Sequence, residues 1–316
     1  MTEETWTVDN SLADLTKHQW LEAIAAIALE DGYHERLDAR HHATFMQEGR
    51  TLLVTFETLQ GIRALSELGQ PLGWDMLKDH GWSHLCLTCD GDTWFRSPAV
   101  YSFFDRLVDE GLFDAFDRIL FYGAGPCAYA AGAFSVAAPG ARVLMIQPQA
   151  TLDPRVTEWD DRFADMRRAD FTTRYGYAPE MLDGADAGFV LYDPREQLDA
   201  MHAALFTRAN VSKFRMRNMG SALQTDLLEL GVWEEMLQAA AQGTLDTVGF
   251  ARLFRRRRDH RPYLRNLLTQ LENDERYLMG TWLCSNVTSR MRARMFAAKQ
   301  TYFEEMLSQK DVAREA

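Results

Sequence analysis

A chain of 316 residues that is 47% hydrophobic and 11% aromatic holds enough apolar side chain for one large core or two ordinary ones, which excludes a disordered protein. Its net charge of −12 is unevenly spread: residues 241–316 carry 14 Lys and Arg against 9 Asp and Glu, while the residues before them carry 20 against 37. Most of such a surface repels nucleic acid, which is therefore not expected as a partner.

No run approaches the ~18 uninterrupted apolar residues of a membrane span, and the acidic start Met1-Thr-Glu-Glu-Thr is unlike a secretory leader. A cytoplasmic protein without membrane attachment is the expectation. Cys86, Cys89, Cys127 and Cys284 are too few and too scattered for a disulfide framework, so reduced thiols are expected. Cys86-Leu-Thr-Cys89 has the spacing of a redox or zinc pair, but it lies along a predicted strand and no second pair answers it. No metal and no cofactor are expected.

In chain order, residues 11–30 predict an amphipathic helix with Leu15, Trp20, Ile24 and Ile27 on one face, stopped by Asp31-Gly32 and packed on a sheet edge. Short strands are predicted over Tyr33–Leu37 and His42–Met46, and a buried strand over Thr51–Phe56. A helix over Trp74–Asp79 precedes a strand over Ser83–Thr88, which Asp90-Gly91 closes. Pro98 suits a first helical turn, and Phe104, Leu107, Val108 and Phe113 recur at helical spacing behind it. The run Arg118–Tyr122 is apolar enough for a strand buried on both faces, and Cys127–Val136 is an Ala-rich helix. Further strands are predicted over Ala141–Ile146, Gly188–Tyr192 and, more weakly, Val211–Met216, with a polar, aromatic-bearing lid over Asp153–Arg174 and a helix over Leu198–Thr207.

Alternating strands and helices argue for a mostly parallel, doubly wound α/β sheet. Beyond Leu223 the pattern is helical throughout: Leu227–Ala241, Gly249–Arg258, Tyr263–Leu271, Tyr277–Cys284 and Arg290–Leu307. The expected division is an N-terminal helix on the sheet (1–32), the α/β domain (33–235) and an all-helical tail (236–316).

The chemistry should lie in the turn Gly123-Ala-Gly125-Pro126-Cys127, where an open α/β sheet carries a nucleophile or a phosphate loop. This turn, the Ala-rich helix, Gln147-Pro-Gln-Ala-Thr-Leu-Asp-Pro154 and Trp159-Asp-Asp-Arg-Phe163 resemble, over about residues 35–235, a bacterial α/β-hydrolase-like family. In that family the turn reads roughly G-x-S-x-G-x-Y-A-A. The resemblance implies a nucleophile elbow, and aligning Gly123 and Tyr129-Ala-Ala131 with it puts Gly125 where the nucleophilic Ser belongs. Glycine keeps the backbone shape, with φ > 0 expected, and deletes the chemistry. Pro126 follows, and proline lacks the N–H that would serve as an oxyanion donor.

Asp193 stands at a strand end where the resemblance implies the triad acid, but the loop Arg217–Leu223 that should carry the histidine has none. His202 precedes it on a helix and His260 falls in the tail. Both read better as packing or surface residues, and Asp193 as a turn residue ahead of Pro194. Cys127, two residues past the elbow position and inside the helix, is the alternative nucleophile of an active hydrolase or acyltransferase, and otherwise a small buried thiol.

Gly123-x-Gly125-x-x-Ala128 also fits a loose dinucleotide fingerprint, but the next strand ends in Gln147-Pro148 rather than an acid. Sulfonucleotide reduction lacks both its Ser- and Gly-rich loop and a cysteine near a mobile end. Arg255, Arg256 and Arg258 head a basic run that offers an anion-binding face, although a solvated helix side explains it as well. The expectation is thus a hydrolase-fold protein that has lost its catalysis and binds a small molecule, a glycan or a protein.

Overall fold

The computed structural model describes residues 6–315, with the backbone alone at 167 and 310–315; the acidic start at residues 1–5 lies outside it. Eight strands form one sheet: β1 (Gly32–Arg36), β2 (His41–Met46), β3 (Thr51–Thr58), β4 (Ser83–Cys89), β5 (Arg118–Ala124), β6 (Arg142–Ile146), β7 (Ala187–Tyr192) and β8 (Val211–Arg215). Their order is β1-β2-β4-β3-β5-β6-β7-β8. β2 runs antiparallel to both β1 and β4, and every other pair is parallel. That order, with its single crossover of β3 and β4 and one reversed strand, is the α/β-hydrolase arrangement.

The helices of the first half are α1 (Lys17–Asp31), α2 (Leu59–Leu65), α3 (Gly73–His80), α4 (Pro98–Asp109) and α5 (Pro126–Phe134). α1 begins later than its apolar spacing predicts because Thr16 and Gln19 form a capping box that fixes the start. Its buried face, Trp20, Ala23, Ile24, Ile27 and Ala28, packs with Met46, Leu59 and Trp74. α2 follows β3 directly, with the Thr58 hydroxyl accepting the Gly61 N–H at 2.8 Å as its cap.

The short turn α6 (Pro154–Thr157) lies within the predicted lid and α7 (Ala178–Met181) just beyond it, and α8 (Gln197–Leu205) joins β7 to β8. The helix expected over 227–241 is two, α9 (Leu223–Glu229) and α10 (Trp233–Ala241), separated where Gly231 takes φ 62°. α11 (Thr247–Leu253) follows and passes into 3-10 turns over Phe254–Asp259. The sheet core is layered with aromatics: Phe134 of α5 stacks on Phe104 at 4.6 Å and on Phe56 at 5.6 Å between ring centroids.

By contacts the chain divides into two compact units. One runs through Arg217 and resumes over Ser221–Phe254; the other comprises Asn218–Gly220 and the residues from Arg255 onward. The second unit contains α12 (Arg261–Asn273), α13 (Tyr277–Arg290) and α14 (Arg294–Glu315). Leu264, Leu268, Cys284, Val287, Phe296 and Phe303 form its core. The Phe303 ring lies so close over Gly280 that a Cβ there would come within 2.3 Å of it. Among the described residues no helix is long and apolar enough to cross a membrane.

Candidate functional site

β5 leads into α5 through a turn of two glycines with separate duties. A Cβ on Gly123 would lie 2.2 Å from the Cys127 carbonyl oxygen, so only glycine lets the strand end pass this close to the helix start. Gly125 has φ 57° and ψ −125°, a region costly to any residue with a side chain. Its N–H donates to the Ile146 carbonyl at 2.8 Å, and its own carbonyl accepts the N–H groups of Ala128 and Tyr129 to open α5. A Cβ built on Gly125 meets nothing within 4 Å, so the space where a nucleophilic side chain would stand is open. Pro126 occupies the first turn of α5 and leaves no amide to face that space.

Beside the turn, at the carboxyl ends of β3 and β5, lies a cavity of about 180 Å³ whose wall includes Glu57, Asp92, Ala124, Pro126, Cys127 and Gln224. Cys127 is 6% exposed, and burial, then the neighbouring Cys89, Glu57 and Asp92, push its thiol well above the usual cysteine range. A thiol among carboxyls has no positive group to stabilise a thiolate. Burial likewise pushes the Glu57 carboxyl up, against hydrogen bonds from the Leu72 N–H, Thr55 and Cys86. Just past Asp92 two bulky residues in succession, Trp94 (φ 49°) and Phe95 (φ 56°), hold left-handed backbone, so the loop after β4 stores strain next to the cavity. In the core, the buried Tyr122 hydroxyl of β5 and the Trp233 indole N–H make no well-formed hydrogen bond, although their rings meet edge to face at 5.6 Å.

Asp193 is buried at the end of β7, where its Oδ1 accepts the Arg195 N–H at 2.9 Å as a turn residue does. His202 is sealed from solvent in α8. Its Nδ1 accepts the Ala150 N–H at 3.2 Å, so Nε2 carries the proton and donates to Asp160 Oδ2 at 2.9 Å. Burial lowers its pKa from the ordinary imidazole value, and Asp160 opposes the shift. Arg162 extends the chain of contacts, reaching Asp160 at 2.8 Å and Asp199 Oδ1 at 2.7 Å, and Gln147 Nε2 donates to Asp199 Oδ2 at 2.7 Å. The Gln147 and Asp160-Asp-Arg162 motifs thus tie the loops after β6 to α8. Asp160 and Arg162 stand out in the sequence only through the family pattern; their partners on α8, His202 and Asp199, lie far along the chain, where spacing carries no signal.

No family model matches this chain, and no curated protein matches it in sequence. Among solved structures it is similar to the glycosylation-associated protein complex (Gap123) of Streptococcus agalactiae at 15% identity and TM-score 0.43, over 67% of this chain and 47% of that one. It is also similar to carboxyl esterase 2 of Tuber melanosporum, at 13% identity and TM-score 0.38 over 68% and 82%. A third is the capsule O-acetyltransferase of Neisseria meningitidis serogroup A, at 10% identity and TM-score 0.39 over 65% and 94%. These scores leave the fold class resting on the strand order and directions of the chain itself.

Arg255, Arg256 and Arg258 belong to the second unit and are exposed on the 3-10 segment. Arg257 beside them lies over the Tyr263 ring at 5.5 Å, and Arg290 donates to the Arg258 carbonyl at 3.1 Å. Gln147 ends β6 with φ 51° and spends its side chain on Asp199 and the Leu223 N–H, so the acid a dinucleotide ribose needs is replaced by a structural amide.

Proposed function

We propose that this chain is a hydrolase-fold protein without serine-hydrolase chemistry, acting in the cytoplasm by binding a small polar molecule in the cavity beside Gly125. The observation that carries the reading is the elbow itself: backbone at φ 57° and ψ −125°, with glycine where a nucleophile would stand and open space above it. Pro126 supports it by removing an oxyanion donor, a loss that by itself costs roughly two to three orders of magnitude in turnover. His202 supports it too, since both ring nitrogens are already engaged.

A small molecule is favoured over a glycan or a protein partner because the cavity is concave and holds only about 180 Å³. Glu57, Asp92 and Gln224 supply the polar groups that would orient such a ligand. The test is a pair of measurements on the full chain. Turnover of small activated esters should not exceed the background rate, and a thermal-shift screen of small polar metabolites should yield binders that Gln224→Ala weakens. Ester turnover that Cys127→Ala abolishes would instead favour the reading in which that thiol is the nucleophile of a hydrolase or acyltransferase.

A further inference from the structure

Parallel strands covered on both faces are built from apolar side chains. β3 and β4 break this rule at adjacent positions. Thr55 and Glu57 of β3, and His84 and Cys86 of β4, are all buried, at 0%, 6%, 1% and 0% exposure. Thr55 and Cys86 are register partners in the sheet, and the two-residue period puts Glu57 with Thr55 and His84 with Cys86 on one face. One oxygen, one nitrogen and one sulfur from Glu57, His84 and Cys86 all lie within 4.8 Å of one another.

We propose that Glu57, His84 and Cys86 form a binding site for a divalent transition metal, zinc above all. Carboxylate, imidazole and thiolate are the donor types zinc selects, and bonds of about 2.0–2.3 Å place tetrahedral donors roughly 3.3–3.8 Å apart. The cluster is within a small side-chain adjustment of that spacing; Cys86 Sγ already stands 3.5 Å from Glu57 Oε1. Charge balance favours the same ion. One thiolate and one carboxylate neutralise a dication, so the loaded site is uncharged and burial costs it little, while binding releases the thiol proton to solvent.

The surroundings hold the donors in place. The Leu72 N–H donates to Glu57 Oε2 at 3.0 Å and turns Oε1 toward Cys86. The Thr55 hydroxyl sits between the donors, 2.7 Å from Glu57 Oε1 and 2.9 Å from His84 Nε2, where it supplies either a fourth ligand or a bridge. α3 gives up a side chain to admit the imidazole, since a Cβ on Gly73 would come within 2.1 Å of His84 Nε2. Glu57 also belongs to the cavity wall, which provides an entry path. The CxxC spacing in the sequence points to Cys89 as the partner of Cys86. The strand separates them: Cys89 Sγ donates instead to the Gly91 carbonyl at 3.2 Å.

The test uses the full chain, grown with zinc and desalted without chelator. About one zinc per chain is expected by elemental analysis. Exchange for cobalt should then give a near-ultraviolet thiolate-to-cobalt charge-transfer band, lost in Cys86→Ala and kept in Cys89→Ala. Folded wild-type protein that holds no stoichiometric metal and gives no such band overturns the proposal, as does a band that survives Cys86→Ala. Should Cys86→Ala fail to fold, the wild-type band decides together with His84→Gln, which must weaken cobalt binding at least tenfold while Cys89→Ala does not.

Discussion

His202 Nε2 and Asp160 Oδ2 lie 2.9 Å apart with both side chains wholly buried, and this pair, rather than a triad, is what the histidine of α8 serves. Removing the imidazole takes a buried hydrogen-bond donor from Asp160 and strips the Ala150 N–H of its acceptor. His202→Ala should therefore destabilise the protein by roughly 2–4 kcal/mol, the range for leaving a buried charged partner and a buried donor unsatisfied. Urea unfolding of the variant measures this, and a loss under about 0.5 kcal/mol, the size of an ordinary surface substitution, would mean the pair is not structural.

Acidification should weaken the fold in two stages. Burial lowers the pKa of His34, His41 and His202, and brings His42 down to about 4. Below the ordinary imidazole value of about 6.5, the unfolded chain takes up protons that the native chain refuses, so stability falls with pH through that window. Asp38, held at about 2 by hydrogen bonds from Ser97, Arg40 and His41 against the opposing effect of burial, adds a second loss below about pH 4. Glu57 and Glu196 shift the other way, upward by burial, and offset part of the change. The folding free energy from urea titrations should be lower at pH 5 than at pH 7; equal or greater stability at pH 5 contradicts this account.

Gly123 and Gly125 should respond differently to the same methyl group. At Gly123 the added Cβ meets backbone at 2.2 Å, so strand and helix must separate, and the cost should reach about 3 kcal/mol or exceed it. At Gly125 there is room, and only the backbone at φ 57° resists, for roughly 1–2 kcal/mol. Melting temperatures of the two alanine variants should rank in that order. A Gly123→Ala protein as stable as Gly125→Ala would show that the turn is looser than its contacts indicate.

Much of the sheet was readable in advance because its parallel strands are short apolar runs closed by Gly, Pro or Asp-Gly, and Val54, Phe121 and Val143 sit in register as such runs require. The positive φ at Gly125 followed from the strand-to-helix reversal alone. Other features depend on partners the local pattern cannot show. The apolar rhythm across Gly231 fused α9 with α10, and the capping box of Thr16 set a helix start that periodicity had placed earlier. The buried stripe of Thr55, Glu57, His84 and Cys86 was invisible for the same reason, since it exists only once β3 and β4 pair. His202 and Asp160 lie 42 residues apart and find each other only through the fold.

Restoring a hydroxyl at the elbow tests the loss of catalysis from the opposite side. Gly125→Ser should fold, because the built Cβ has no neighbour within 4 Å, with a stability loss of roughly 1–2 kcal/mol from the strained backbone. The new serine would face the open space of a nucleophile, yet the His and Asp expected of a triad are engaged elsewhere. His202 donates to Asp160 and accepts from Ala150, Asp193 Oδ1 accepts the Arg195 N–H, and Pro126 still offers no amide. A serine hydroxyl without a general base keeps its high pKa and reacts slowly, so Gly125→Ser should not label with a fluorophosphonate above the rate of a denatured control. Adding a His at Ser221 or Ala222 and a residue other than Pro at 126 should be required before any labelling appears. Rapid labelling of the single variant would mean that a base already reaches the elbow, and the binding-only reading would then fall.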